Sequence, residues 1–365
     1  MIFIKLLAFI FFYIILYVHG SIVTDWNRTW PYTTRIKVYI EYYADYWQVR
    51  KAFQEVEKYT CFKFQRVNKE IENEIGINVL WRKELCTIDY VGCKRGRYAN
   101  YIYIGNNCYY NTPYVISLIL QVLGLEDEHN RFDRDTYVDI KYDNIREDLK
   151  QYFEIDNINK TETYGLSYDY GSILHGEKNM YSKNRKDTIV AKYNYSSLYQ
   201  QMIGQRRIVG FNDFKLVNLL YCNDTCPVET RNKTECLRNG YQNPNRCYEC
   251  ICPFPYTGSF CKSFHGNTGY YYCPDREVTA TNQEKLLYFS RSYQCFTLIT
   301  ANNKNDTILV SVKVTWLSNR SPCSRGDNMF EVQYKKDHGV MGLCFCGAAP
   351  TTDIMSEGPN VMLIY

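Results

Sequence analysis

The chain has 365 residues, 45% of them hydrophobic and 22% charged, a length for two or three domains and a composition that excludes a disordered or fibrous protein. Lysine and arginine number 43 against 39 acidic residues, and a formal charge of +4 over this length gives a nucleic acid no strong footing. Sixteen cysteines are hard to keep inert in a reducing cytosol and point to a compartment where thiols are oxidised into cross-links.

At the start, Lys5 precedes an apolar run from Leu6 to Val18 that ends in Val18-His19-Gly20, the pattern of a signal peptide over residues 1–20. The run is shorter than the roughly 20 residues that span a bilayer. No later segment rivals it, so the expectation is a soluble, secreted chain with no membrane span. Sequons at Asn27, Asn159, Asn194, Asn223, Asn232, Asn305 and Asn319 are usable only in the secretory pathway, and Pro322 after Ser321 weakens the last.

Tyr46 to Tyr59 carries Val49, Phe53, Val56 and Tyr59 at helical spacing, which predicts a helix with one face on a core. Lys37–Ile40, Asn78–Trp81 and Tyr101–Ile104 predict strands of one sheet. Thr112-Pro113-Tyr114 through Leu123-Gly124 reads as a second, buried helix, with Thr112 capping it, Pro113 at its first position and Gly124 after its end. Only five cysteines lie between residues 21 and 222, a density that suits a domain stabilised by its apolar core. Six more, from Cys226 to Cys261, crowd a Gly-, Pro- and Asn-rich stretch too short to fold without staples, and spacing alone allows 15 pairings of them. From Cys273 to Tyr365 the spacing opens, and runs such as Thr307–Val314 and Phe330–Tyr334 predict strands of a β-sandwich.

The segment Gly124-Leu-Glu-Asp-Glu-His-Asn-Arg131-Phe-Asp133-Arg134-Asp135 resembles the astacin family of secreted zinc endopeptidases, whose motif runs H-E-x-x-H-x-x-G-x-x-H-E followed by R-x-D-R-D. Tyr168-Asp169-Tyr170-Gly171-Ser172-Ile173 is similar to the family's Met-turn. Ile203-Gly204-Gln205-Arg206 and Asn218-Leu-Leu-Tyr221-Cys222 are similar to its domain end. Asn239 to Asn245 with Cys247, Cys250 and Cys252 resembles the EGF-like module that follows in nematode astacins, and Phe345-Cys346-Gly347 resembles a CUB module. The resemblance implies an α+β fold: an astacin-like metzincin domain over 21–225, a disulfide-rich EGF-like module over 226–262 and a β-sandwich CUB-like module over 273–365. A CUB module usually continues into a final strand beyond a point such as Met362–Tyr365, which implies that this module is cut short.

By the same resemblance the helical zinc-ligand positions fall on Ser117 and Gln121, the general base on Leu118 and the third ligand on Asp127. Leu174 stands at the methionine of the Met-turn, and Gly176 at the tyrosine that supports the metal. A catalytic zinc needs three neutral imidazoles, an open position for water and a neighbouring carboxylate base. None of these residues supplies them, so neither catalytic nor metal-ligating residues are expected, and zinc is a cofactor of the family only. Asp127, His129 and His175 could lie close together, but the motif directs both histidines away from the metal. Arg131, Asp133, Arg134 and Asp135 read as an ion network that fixes the chain after the helix. Few residues separate Ser21 from Trp30-Pro31, leaving no room for a long inhibitory propeptide.

The resemblance further implies disulfides Cys61–Cys222, Cys86–Cys108, Cys226–Cys247, Cys236–Cys250, Cys252–Cys261 and Cys273–Cys295, with Cys323 joined to Cys346 or Cys344. Cys93 and Cys344 are then left to join each other or a second chain. A disulfide-linked dimer is favoured, because modules strung in series need not touch. No calcium site is expected. The function implied is that of a secreted pseudoprotease that binds extracellular proteins through its EGF-like and CUB modules. The alternatives are an active metallopeptidase with unorthodox ligands and a structural matrix glycoprotein, the latter suggested by the sequons and 36 tyrosines.

Overall fold

A computed structural model describes residues 22–31, 35–96, 98–231, 233–268, 273–289, 293–313, 317–325 and 329–365; the signal-peptide segment 1–20 and the Asn232 sequon lie outside them. In chain order the large domain contains β1 (Ile22–Val23), β2 (Arg35–Ile40), α1 (Trp47–Tyr59), β3 (Lys63–Val67), β4 (Ile77–Trp81), β5 (Thr87–Ile88), β6 (Asn100–Ile104) and α2 (Thr112–Val122). There follow β7 (Val138–Ile140), β8 (Thr161–Glu162), β9 (Ile189–Ala191), α3 (Ser196–Met202) and α4 (Phe211–Val217).

The first half is a five-stranded sheet in the order β3-β2-β4-β6-β5, parallel except at β5. In β2 and β6 the alternate side chains Ile36, Val38, Ile40, Ile102 and Ile104 turn inward, the period of two that a pleated strand imposes. The middle strand β4 buries Ile77, Asn78, Val79 and Leu80 in succession, as expected of a strand covered on both faces. Helix α1 lays Val49, Ala52, Phe53 and Val56 on this core. Helix α2 is enclosed on nearly every side, with Val115, Ile116, Ser117, Leu118, Ile119, Leu120 and Val122 all buried. Its cap is Asn111, whose Oδ1 accepts the Tyr114 amide at 3.1 Å, rather than Thr112, which is the first helical residue. The shift is one residue, and an Asn competes well for this position.

Three disulfides staple residues 226–261: Cys226–Cys247, Cys236–Cys250 and Cys252–Cys261. In the C-terminal module the strands Glu277–Ala280, Phe296–Ala301, Asn360–Ile364, Phe330–Gln333 and Leu343–Phe345 lie in that spatial order in one sheet, and Leu309–Val312 pairs with Thr352–Met355 in a second. The strand Asn360–Ile364 is thus central, hydrogen-bonded on both sides. Cys273–Cys295 and Cys323–Cys346 tie this module.

Two expectations are corrected. The C-terminal module touches the large domain extensively: Tyr168, Tyr170, Tyr199 and Met202 share one apolar core with Tyr334, Met341, Leu343 and Phe345. Cys93 and Cys344, which join none of the seven bridges, do not reach the surface; each is fully buried, Cys93 in the core of the large domain and Cys344 in that of the C-terminal module. A link from either to a second chain has no accessible sulfur. No helix among the described residues is long and apolar enough to cross a membrane.

Candidate functional site

The site is the C-terminal turn of α2, the loop that follows it and the turn 172–176. Helix α2 ends at Val122, and Gly124 just beyond its cap has a φ of +108° that a residue with a Cβ rarely adopts. Its carbonyl accepts the Val23 amide at 2.8 Å, and Val23 with Ile22 pairs with β8, so the first described strand lies against the turn. The reversal carries the chain back past the helix, and Asp127 returns to face Gln121.

What these residues do is visible in their bonds. Ser117 is buried and its Oγ donates to the Tyr114 carbonyl at 2.7 Å, back along its own helix. Leu118 and Leu174 belong to the same apolar cluster as Ile173, Leu166 and Val217. Gln121 Nε2 donates to Asp127 Oδ1 at 2.9 Å. Desolvation pushes the Asp127 carboxyl up to about 7, the Arg206 guanidinium acting against this and Glu126 with it. Arg206 is pinned in turn by donating through one nitrogen to the carbonyls of Ile173 and His175, each at 2.9 Å, and it stands over the Tyr114 ring.

The two histidines are buried and neutral. Burial, before any charge, drives the pKa of His129 well below its usual value and that of His175 down to about 4. His175 Nδ1 donates to the Gly176 carbonyl at 2.9 Å, which leaves Nε2 to accept the Tyr168 hydroxyl at 2.7 Å. His129 Nδ1 accepts the Gly176 amide at 3.1 Å, so its proton sits on Nε2, which faces the Tyr152 main chain without reaching hydrogen-bond geometry. Neither ring turns a free nitrogen lone pair outward.

This donor set does not fit zinc. The Ser117 hydroxyl is committed to the helix backbone, the Gln121 amide and Asp127 carboxyl are committed to each other, and Leu118, at the position expected of the base, is core; among the described residues no three imidazoles face a common point. Gly176 is constrained as well: a Cβ there would lie 2.8 Å from Met180 Sδ and 2.9 Å from His129 Cε1, so the position has closed against a larger side chain.

Arg131 forms a buried network. It donates to Asp133 through two nitrogens at 2.8 Å each and to Glu128 Oε1 at 3.0 Å, and all three side chains are nearly inaccessible. Glu128 also accepts the Asp169 amide at 2.8 Å, joining the loop after the helix to the turn below it. Arg134 bonds the carbonyls of His129 and Phe153, while its partner Asp135 is largely exposed. The part played by Glu128 and the anchoring of the turn by Arg206 were not legible beforehand. Their signal, a charged residue at a motif's edge, does not reveal which backbone group it will meet.

The described sequon asparagines Asn27, Asn159, Asn194, Asn223, Asn305 and Asn319 are all exposed. In the large domain Cys61–Cys222 and Cys86–Cys108 are bridged.

The chain is similar to known proteins along most of its length. It is 30% identical over 314 residues to the zinc metalloproteinase nas-34 of Caenorhabditis elegans, which covers 85% of this chain and 49% of that protein. It is 38% identical over 144 residues to the zinc metalloproteinase dpy-31 of the same organism, 40% of this chain and 23% of the relative. The chain therefore spans half the length or less of these relatives. Among solved structures, the high choriolytic enzyme 1 of medaka, a hatching-enzyme zinc protease, aligns with a TM-score of 0.45 and 24% identity over 53% of this chain and 94% of that one. The family model for astacin, a peptidase family, matches residues 22–222, more than half of the sequence, and the chain belongs to the astacin family.

Proposed function

We propose that this chain is a catalytically inert astacin, a secreted pseudoprotease that acts by binding extracellular proteins. The observation that carries the reading is the Gln121–Asp127 hydrogen bond beside a buried Leu118: two ligand positions bond to each other, and the position of the base is apolar core. A metallopeptidase needs an open metal position for water and a carboxylate to take its proton, and neither role has a residue here.

An extracellular location is supported by the seven disulfides, the apolar leader in the sequence and the exposure of the sequon asparagines. We assign residues 226–262 to an EGF-like module and 273–365 to a CUB-like module, on the cysteine pairing of the first and the paired sheets of the second. Modules of these kinds commonly make protein contacts, an analogy at the level of fold. Calorimetric titration of the chelator-treated chain with zinc tests the reading: no binding at micromolar zinc is expected, and one tight site per chain would overturn it.

A further inference from the structure

The loop from Tyr334 to Gly342 of the C-terminal module is seated in the large domain, against the segment that leads into the turn 172–176. Asp337 Oδ2 accepts from the Ser167 amide at 3.1 Å and from Asn212 Nδ2 at 3.0 Å. The Met341 amide donates to Asp169 Oδ2 at 3.2 Å, Lys335 Nζ reaches the Tyr168 carbonyl at 3.4 Å, and the Tyr334 and Tyr199 hydroxyls share a bond of 2.6 Å. The surfaces are in close contact. A Cβ at Gly171 would lie 2.7 Å from Met341 Cβ, and one at Gly339 only 2.0 Å from Asn212 Oδ1.

These bonds continue to the site. The Asp169 carboxyl group takes the Met341 amide on one oxygen and the Gly171 amide on the other at 2.8 Å. The Asp169 amide donates to Glu128, and the Glu128 amide donates to the Leu174 carbonyl at 3.2 Å. Three bonds therefore separate the C-terminal module from the turn beneath Gln121 and Asp127, all of them through buried groups. Buried polar groups keep their partners because an unmade bond costs about 1 to 3 kcal/mol, so the loop and the turn cannot loosen independently at low cost.

We propose that the C-terminal module is a coupling element whose Tyr334–Gly342 loop holds the 167–176 backbone, so that docking and undocking of that module set the mobility of the candidate site. The device does not depend on whether the site holds a metal. Surface events on the C-terminal module, such as engagement of a partner protein, reach the site through Met341, Asp169 and Glu128. A contiguous network alone does not prove coupling, so the test measures coupling directly.

Hydrogen exchange on the full chain supplies it. Asp337→Ala removes the acceptor for Ser167 and Asn212, and amides between Tyr168 and Gly176 should exchange at least tenfold faster while those of β2, β4 and β6 keep the wild-type rate. Faster exchange confined to residues 335–342 would overturn the proposal. Should the variant unfold as a whole, the wild-type chain under increasing urea decides: amides of 339–342 and of 168–176 should converge on one opening transition, as members of one cooperative unit do. Two separate transitions would overturn the proposal.

Discussion

Gln121 and Asp127, six residues apart around the Gly124 turn, are joined side chain to side chain at 2.9 Å. Each satisfies a polar group that the other would otherwise leave half-buried and unpaired, so the pair stabilises the turn without needing an ion between them. Recovering a metal site means breaking this pair. Ser117→His, Leu118→Glu, Gln121→His and Asp127→His together should give weak zinc binding and little peptide cleavage, followed by metal titration and a protease assay. Adding Gly176→Tyr should lower stability rather than restore activity, because its Cβ would collide with Met180 and His129. Full activity from the four changes would show that the helix is not committed to the core.

The Arg131 network should be costly to break. Arg131→Ala would leave Glu128 and Asp133 buried without their cation, a loss of about 3 to 5 kcal/mol by analogy with other buried pairs. Urea unfolding monitored by tyrosine and tryptophan fluorescence measures it. A change under about 1 kcal/mol, the range of exposed pairs, would mean that water enters the network.

Stability should fall with rising pH through the neutral range. Burial first, then neighbouring Asp213 and Glu128, pushes Asp169 up to about 8, and burial with Glu128 pushes Asp213 up to about 7; the amides of Gly171 and Met341 act against this at Asp169, and Lys335 and Arg325 face it. An unfolded aspartate titrates near 3.8, so the folded chain holds these protons longer. Their contribution is complete below that value and is lost as pH rises through 7 to 8. The buried His175 and the half-buried His338, both lowered to about 4, work in the opposite sense: their contribution is present above about 6.5 and is lost as pH falls towards 4. Burial likewise pushes Asp127 up to about 7 and Asp156 up to about 9, so their contributions are lost in the same direction. Stability should thus decline from about pH 6.5 to about pH 9, by at most about 1.4 kcal/mol per pH unit for each proton released, and the melting temperature should follow it down. Asp169→Asn, which keeps an acceptor oxygen without the charge, should flatten that slope. An unchanged slope would place the titration elsewhere.

The two cysteines outside the bridges predict a simple electrophoretic result. Burial pushes the Cys93 thiol up to about 11, and neither it nor Cys344 is open to solvent. The chain should run as a monomer with and without reductant. Alkylation of two thiols should require denaturant. A band at twice the mass that collapses on reduction would contradict the burial.

Much of the large domain could be read in advance because its periodicities are local. Alternation in β2 and β6 and the apolar spacing of α1 depend only on neighbouring residues and the core they face. The second helix was legible for the same reason, but its cap was not: Asn111 and Thr112 are both competent caps, and the choice is made by the chain's approach from Cys108. That Ser117, Gln121 and Asp127, the positions to which the resemblance assigns zinc ligands, carry no imidazole needs only the sequence itself. The sequence could not show that the Gln121 and Asp127 side chains meet, that His129 closes the space at Gly176, or that Met341 seats on Gly171. Each of these is a contact between side chains and backbone brought together by the fold. The contact between the C-terminal module and the large domain was not legible for that reason, because no local pattern records the fit between two surfaces.

The most direct measurement is the zinc content of the full chain, purified without chelators and analysed by mass spectrometry beside a peptide-cleavage assay. Well below one zinc per chain is expected, with no cleavage that a chelator abolishes. One zinc per chain with chelator-sensitive cleavage would contradict it.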